Sequence, residues 1–262
     1  MWDRSFHFIS ILLLIIACYS AACGLRNPRR AQELNKIGLK YSAQGSRADA
    51  LKYFIEAYEM EGITDSQRTI YMENIGNEYW MNNVDSAIYY YAQAARVNNR
   101  NSFNWLYCMA NVYILKGQTD TALLYGLRAN DRNSKDMLAN NLVGLIYMGE
   151  FGQDYYAPEK ALKYNLRSYE AYYDVASEFA LAKNYYLLNK MDKAIPLFED
   201  VCKKSPDRTA YTGSLAMIYQ ELGRESDANR LLAEIKIKEP LRYEKIVNMQ
   251  IKAGQHGITW HP

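Results

Sequence analysis

Apolar residues recur three and four positions apart along most of this chain, as at Leu34, Ile37 and Tyr41. That spacing gathers side chains on one face of an α-helix. A short pattern then returns six times: an apolar residue, Gly or Ala, two variable residues, and Tyr. It runs Ile37 to Tyr41, Ile75 to Tyr79, Met109 to Tyr113, Val143 to Tyr147, Leu181 to Tyr185 and Leu215 to Tyr219. Successive tyrosines lie 38, 34, 34, 38 and 34 residues apart. A second pattern, Ala followed four residues later by a large ring, appears at Ala50 and Phe54, Ala87 and Tyr91, and Ala194 and Phe198. Weaker copies are Ala122 with Gly126, Ala161 with Asn165, and Ala228 with Leu232.

The two patterns predict helical hairpins. A small residue lets two helices approach closely while the facing ring fills the groove between them. Gly45, Gly117 and Gly223 each stand four residues after the repeated tyrosine, where the first helix must end in a left-handed residue. One hairpin cannot bury its apolar face alone, but stacked neighbours can.

A period of 34 residues with these motifs resembles the tetratricopeptide-repeat (TPR) family. Pro206 and Pro240, each 21 residues after a repeated tyrosine, match that family's terminal Pro. The resemblance covers 29–240 and implies an all-α, right-handed solenoid of about six repeats, at 31–62, 69–100, 103–133, 137–172, 175–206 and 209–240. Residues 241–253 read as a capping helix, with Ile246 and Met249 turned to the end of the stack, and 254–262 as a tail. The family's Trp, seven residues before the tyrosine, is absent. Leu34, Met72 and Leu106 replace it in the first three repeats, and polar Asn140, Glu178 and Thr212 in the last three. The fourth hairpin carries a longer turn, 150–158, which ranks equally as a functional loop and as a local lid.

The N-terminus departs from the repeats. An apolar run of ten, Phe8 to Ala17, follows Arg4, which is the length of a signal-peptide core and about half of a spanning helix. Its end, Ile15-Ile16-Ala17-Cys18, resembles the bacterial lipobox. That resemblance implies a signal peptide at 1–17, lipidation at Cys18, a tether at 18–28, and a lipid-anchored chain in the cell envelope, at the outer membrane or in the periplasm. Cys23 is a second lipidation candidate, and both simple secretion and an uncleaved anchor stay open. Cys108 and Cys202 are expected to be buried and unbridged, since they lie two repeats apart.

Composition narrows function by exclusion. Thirty-one basic and 29 acidic residues are interspersed, so no basic stripe points to nucleic acid. The three histidines, His7, His256 and His261, lie outside the repeats, and no Cys or His spacing fits a zinc site. Nucleophile elbow, Walker loop and dinucleotide fingerprint are all missing, so the expectation is a binding protein without cofactor, metal or catalytic residues.

In the TPR family the first helices line a groove that holds a protein or peptide. Register carries this role to Asn35, Glu73, Asn77, Trp80, Tyr107, Asn111, Asn141, Phe179, Lys183 and Tyr186. Amides suit an extended backbone because they both donate and accept, and the rings could anchor apolar side chains. The expected function is an envelope scaffold with a protein or peptide partner. The alternative is a peptide- or glycan-sensing module exported without a lipid anchor.

Overall fold

In a computed structural model the described residues are 27–247, and all of their regular structure is helical. The N-terminal leader, both lipidation candidates, Met249 and the tail lie outside them. Twelve α-helices are described in full: α1 (Pro28–Ala43), α2 (Arg47–Glu59), α3 (Asp65–Tyr79), α4 (Val84–Arg96), α5 (Phe103–Leu115), α6 (Thr119–Arg132), α7 (Met137–Tyr147), α8 (Pro158–Ala171), α9 (Val175–Leu187), α10 (Met191–Lys204), α11 (Thr209–Glu221) and α12 (Glu225–Lys238). They follow one another in consecutive pairs, and residues 240–247 are again helical. The described chain divides into two compact units, with the boundary between Cys108 and Met109.

Local chemistry sets the helix ends. Thr64 and Gln67 form a reciprocal capping box at the start of α3, and Asp174 with Ser177 does the same for α9. Asn27, Asn83 and Asp136 cap α1, α4 and α7 through their side chains. Each such cap contributes about 1 kcal/mol. Four of the six turns inside the hairpins close in one way, whereas the second has no left-handed residue and Asn83 donates its N–H to the Tyr79 carbonyl at 2.8 Å. Gly45, Gly117 and Gly223 have φ of 80°, 70° and 69°, and Asn189 takes the same place at 56°. The next residue then donates its backbone N–H to the carbonyl of the repeated tyrosine: Ser46 to Tyr41, Gln118 to Tyr113, Lys190 to Tyr185 and Arg224 to Tyr219.

The fourth hairpin breaks this rule, and the break explains its long turn. Its left-handed residue is Gly149, only two places after Tyr147, so Glu150 donates to Leu145 instead. The Tyr147 carbonyl is met from the far end of the turn, by the N–H of Ala157 at 2.8 Å. Between the two ends lie Gly152, with φ 123°, and a short 3-10 turn at Gln153–Tyr155.

In the first unit the small-residue rule operates as expected. A Cβ on Gly38 would sit 2.6 Å from the Phe54 ring, and one on Gly76 would sit 3.0 Å from Tyr91. The apolar residues at the family's Trp position, Leu34, Met72 and Leu106, are all buried. In the second unit Ala182 shares a core with Phe198, but Gly144 faces a side-chain amide. A Cβ there would meet the Asn165 Oδ1 at 2.1 Å. Asn165 donates to Asn184 Oδ1 at 3.1 Å, and Asn184 donates to the Pro158 carbonyl at 2.9 Å. Ile246 is buried against Gly213 and packs with Ile235 and Leu232 in the last core of the described chain.

Most tyrosines are half-buried, with stacked pairs inside hairpins: Tyr41 on Tyr53, Tyr79 on Tyr90, Tyr113 on Tyr125 and Tyr147 on Tyr164. Tyrosine suits such a seam better than phenylalanine, because the ring packs while the hydroxyl reaches water or a polar partner. That accounts for 24 Tyr against 7 Phe. Cys108 and Cys202 are both free thiols, but only Cys108 is fully buried.

Candidate functional site

Each unit carries half of the residues assigned to binding, and the two halves differ. In the first unit, Asn35 on α1 accepts a hydrogen bond from Asn74 on α3 at 2.8 Å, so amides tie neighbouring first helices together. Glu73, half-buried on α3, accepts from the Cys108 thiol on α5 at 3.1 Å. Asn77 is exposed, with its Oδ1 receiving the Tyr91 hydroxyl at 2.5 Å. Trp80 sits edge-on to Tyr91 at 6.1 Å and keeps part of its indole in solvent. Leu39 and Met81 add exposed apolar surface, at 48% and 70%. Tyr107 is different. It is nearly buried and stacked on Phe103 at 6.2 Å, so its ring is spent on packing.

In the second unit the assigned residues are more enclosed. Asn111 is buried, and Asn141 is half-buried with an Oδ1 that finds no hydrogen-bond partner. Phe179 packs edge-on to Phe198 at 5.6 Å and against Tyr211 at 4.6 Å. Tyr186 donates its hydroxyl to Glu221 at 2.6 Å, and burial together with that carboxylate raises its pKa. Lys183 is 5% exposed and forms an ion pair with Glu150 from the long turn. Glu150 and Glu221 contact two of the assigned residues, Lys183 and Tyr186, and register alone does not point to either. The signal for Glu150 was the inserted turn itself, and Glu221 had no comparable signal.

No family model matches the chain, and no curated protein does. Solved structures do. A tetratricopeptide repeat protein from Parabacteroides merdae is similar over 87% of this chain and 88% of its own, with a TM-score of 0.52 at 17% identity. A thermophilic TPR protein of Thermus thermophilus aligns with 71% of this chain and 97% of its own, at a TM-score of 0.52 and 16% identity. PilF of Pseudomonas aeruginosa aligns with 84% and 98%, at a TM-score of 0.51 and 12% identity. The fold is that of TPR proteins.

In TPR register the family's Trp position therefore lies at Leu34, Met72, Leu106, Asn140, Glu178 and Thr212, and the polar residues there are not orphaned. Asn140 receives the Asn130 amide at 2.8 Å and donates to the backbone carbonyls of Ser134 and Asp136. Glu178 is 1% exposed and accepts from Lys204 at 2.8 Å and from Tyr173 at 3.3 Å. Lys204 also pairs with Asp200 at 2.5 Å and lies 4.2 Å from the Tyr173 ring centre. Burial raises the Glu178 pKa despite Lys204, whereas hydrogen bonding to Lys204 lowers that of Asp200. These charges act on each other inside a seam between helices, which is a structural task. Among the described residues no group of three or more His, Cys, Asp or Glu is placed to hold a metal ion. None of their helices is long and apolar enough to cross a membrane.

Proposed function

We propose that this chain is a non-enzymatic interaction scaffold of the bacterial cell envelope. It would be tethered through a lipid on Cys18 and would bind a protein or peptide on the face of its first helices. The observation that supports binding most directly is the first unit's surface: exposed Asn77, half-exposed Trp80, and apolar Leu39 and Met81 on the first helices and the turn after them. Amides beside rings and apolar side chains suit an extended segment, which offers backbone donors and acceptors and alternate side chains. Neither a nucleophile–base pair nor a metal-ligand set among the described residues supports an enzymatic reading. The envelope location is supported by the leader pattern and Cys18, which lie outside the described residues.

Affinity capture from detergent-solubilised envelopes tests the binding face. Asn77→Ala with Trp80→Ala is expected to lose a partner that the parent chain retains, because truncating an aromatic anchor costs about 2 kcal/mol or more. An unchanged partner set would remove this face from consideration. The tether is tested separately: Cys18→Ser should move the protein from the membrane to the soluble fraction, and an unmodified N-terminus beginning after Ala22 would end the lipoprotein reading.

A further inference from the structure

The long turn of the fourth hairpin pairs with a cation on the next hairpin. Glu150 stands between two glycines in the left-handed region, Gly149 at φ 81° and Gly152 at φ 123°. It reaches Lys183, 33 residues away on α9, whose side chain keeps only 7% of its exposure. Lys183 lies at a position that TPR register gives to the binding face, and the carboxylate that pairs with it comes from a segment the other hairpins lack. The strap has two further ties. Thr119 at the start of α6 donates its hydroxyl to the Phe151 carbonyl at 3.0 Å, and Ala157 closes the loop on Tyr147. Gln153 and Tyr156 fold over Gly149, where an added Cβ would meet them at 3.0 and 3.1 Å.

A buried cation must be paired, because an uncompensated charge away from water is costly. Glu150 satisfies that need from a loop whose hinge residues can change backbone conformation at little cost. We infer that the strap 149–157 is an intramolecular occupant of the second unit's face: Glu150 holds an anion subsite on Lys183, and a carboxylate-rich partner segment competes with it. This rests on the proposed binding face and adds its partner chemistry and its gate. Closing the strap reduces apparent affinity by the fraction of time the subsite is free.

The test uses the full chain with a fluorescein-labelled oligoglutamate peptide, read by anisotropy, and acylation of Lys183 by an amine reagent, read by mass spectrometry. Glu150→Gln should speed Lys183 acylation and tighten peptide binding about tenfold, as expected if the strap is closed about nine-tenths of the time. Adding Lys183→Met to Glu150→Gln should abolish the gain. Thr119→Val loosens the same strap without touching either charge, and it should move both readouts in the same direction by less. Lys183 equally protected in Glu150→Gln and Thr119→Val would overturn the inference. So would a released Lys183 with peptide binding no better than in the parent. Failure of the wider binding reading shows elsewhere, as unchanged capture by the Asn77 and Trp80 variants of the first unit.

Discussion

The two units solve one packing problem with opposite chemistry. At the position where the fold family places Trp, the first unit buries Leu34, Met72 and Leu106, and the second buries Asn140, Glu178 and Thr212. An apolar seam needs only volume and shape, so its neighbours can be any apolar surface of the right size. A polar seam needs named partners. Asn140 depends on Asn130 and two carbonyls, and Glu178 on Lys204 and Tyr173. Such networks stabilise only when every member is satisfied, because a lone buried polar group is heavily penalised. The first unit is therefore tolerant at its seams, whereas each seam of the second is specific to its own repeat.

Exchanging the chemistry between units is the strongest way to break this contrast. Met72→Glu puts a carboxylate into a seam built for an apolar side chain, and about 3–5 kcal/mol of destabilisation is expected in urea titrations at neutral pH. Glu178→Met is the reverse exchange. Replacing a buried ionic group by an apolar one of similar volume is often close to neutral, and Lys204 keeps Asp200 as a partner. A loss within about 1 kcal/mol is therefore expected. If the two exchanges cost the same, the seams are not chemically distinct.

The pH dependence of stability sharpens the contrast at smaller amplitude. Burial raises the Glu178 pKa above its unfolded value, so its ionised form is disfavoured in the fold. Its contribution favours the native state at low pH and is lost as pH rises through the raised value. Asp200 works the other way. Its pKa is lowered, chiefly by the hydrogen bond from Lys204, so its contribution is present at neutral pH and fades as pH falls through the lowered value. Glu178→Gln removes the first dependence, and it alters the second only below the ordinary carboxylate range, where Asp200 titrates. The stability of this variant relative to the parent should therefore climb as pH rises above about 4, by at most about 1.4 kcal/mol per pH unit. A relative stability that falls over that range would show that Lys204 outweighs burial at Glu178. The first unit's seam residues do not titrate, so no corresponding slope arises from Leu34, Met72 or Leu106.

How far these differences could be read from sequence depends on the kind of interaction. Helix pairing was legible because Gly or Ala before the repeated tyrosine and the ring of the second helix obey a local spacing, and Gly38 with Phe54 shows the reason directly. The left-handed turn residues were legible where they are glycines. Asn189 does the same task at φ 56° without being singled out, since Asn has many other uses in a helix-rich chain. The departures at Asn140, Glu178 and Thr212 were visible as letters, but their partners were not. Lys204 meets Glu178 across 26 residues, and nothing in the local pattern selects it from 31 basic residues. Binding-face residues carried over by register divided for the same reason. Asn77 and Trp80 keep solvent exposure, while Tyr107 stacks on Phe103 one turn earlier in its own helix and Lys183 is claimed by Glu150, a neighbour that only folding brings near.

The two free cysteines report on the units separately, one in each, with the least disturbance of all. Cys108 is fully buried, and both burial and the Glu73 carboxylate hold its thiol well above the ordinary range. Cys202 is half-buried and pushed up to about 11, mainly by burial. Only the thiolate reacts, so at pH 8 about one molecule in a thousand presents a reactive Cys202. In a chain carrying Cys18→Ser and Cys23→Ser, a thiol reagent should therefore label the native protein far more slowly than a free thiol. Cys202 should react before Cys108, because it needs less opening to reach solvent. Low urea should then separate the two further if the second unit's polar seam opens by local unfolding at a lower concentration than the first unit's apolar seam. Glu178→Met should narrow that separation by making the second seam resemble the first. Equal labelling rates in native buffer, with no divergence in urea, would mean that the two units open together and that the chemistry of their seams does not set their stability.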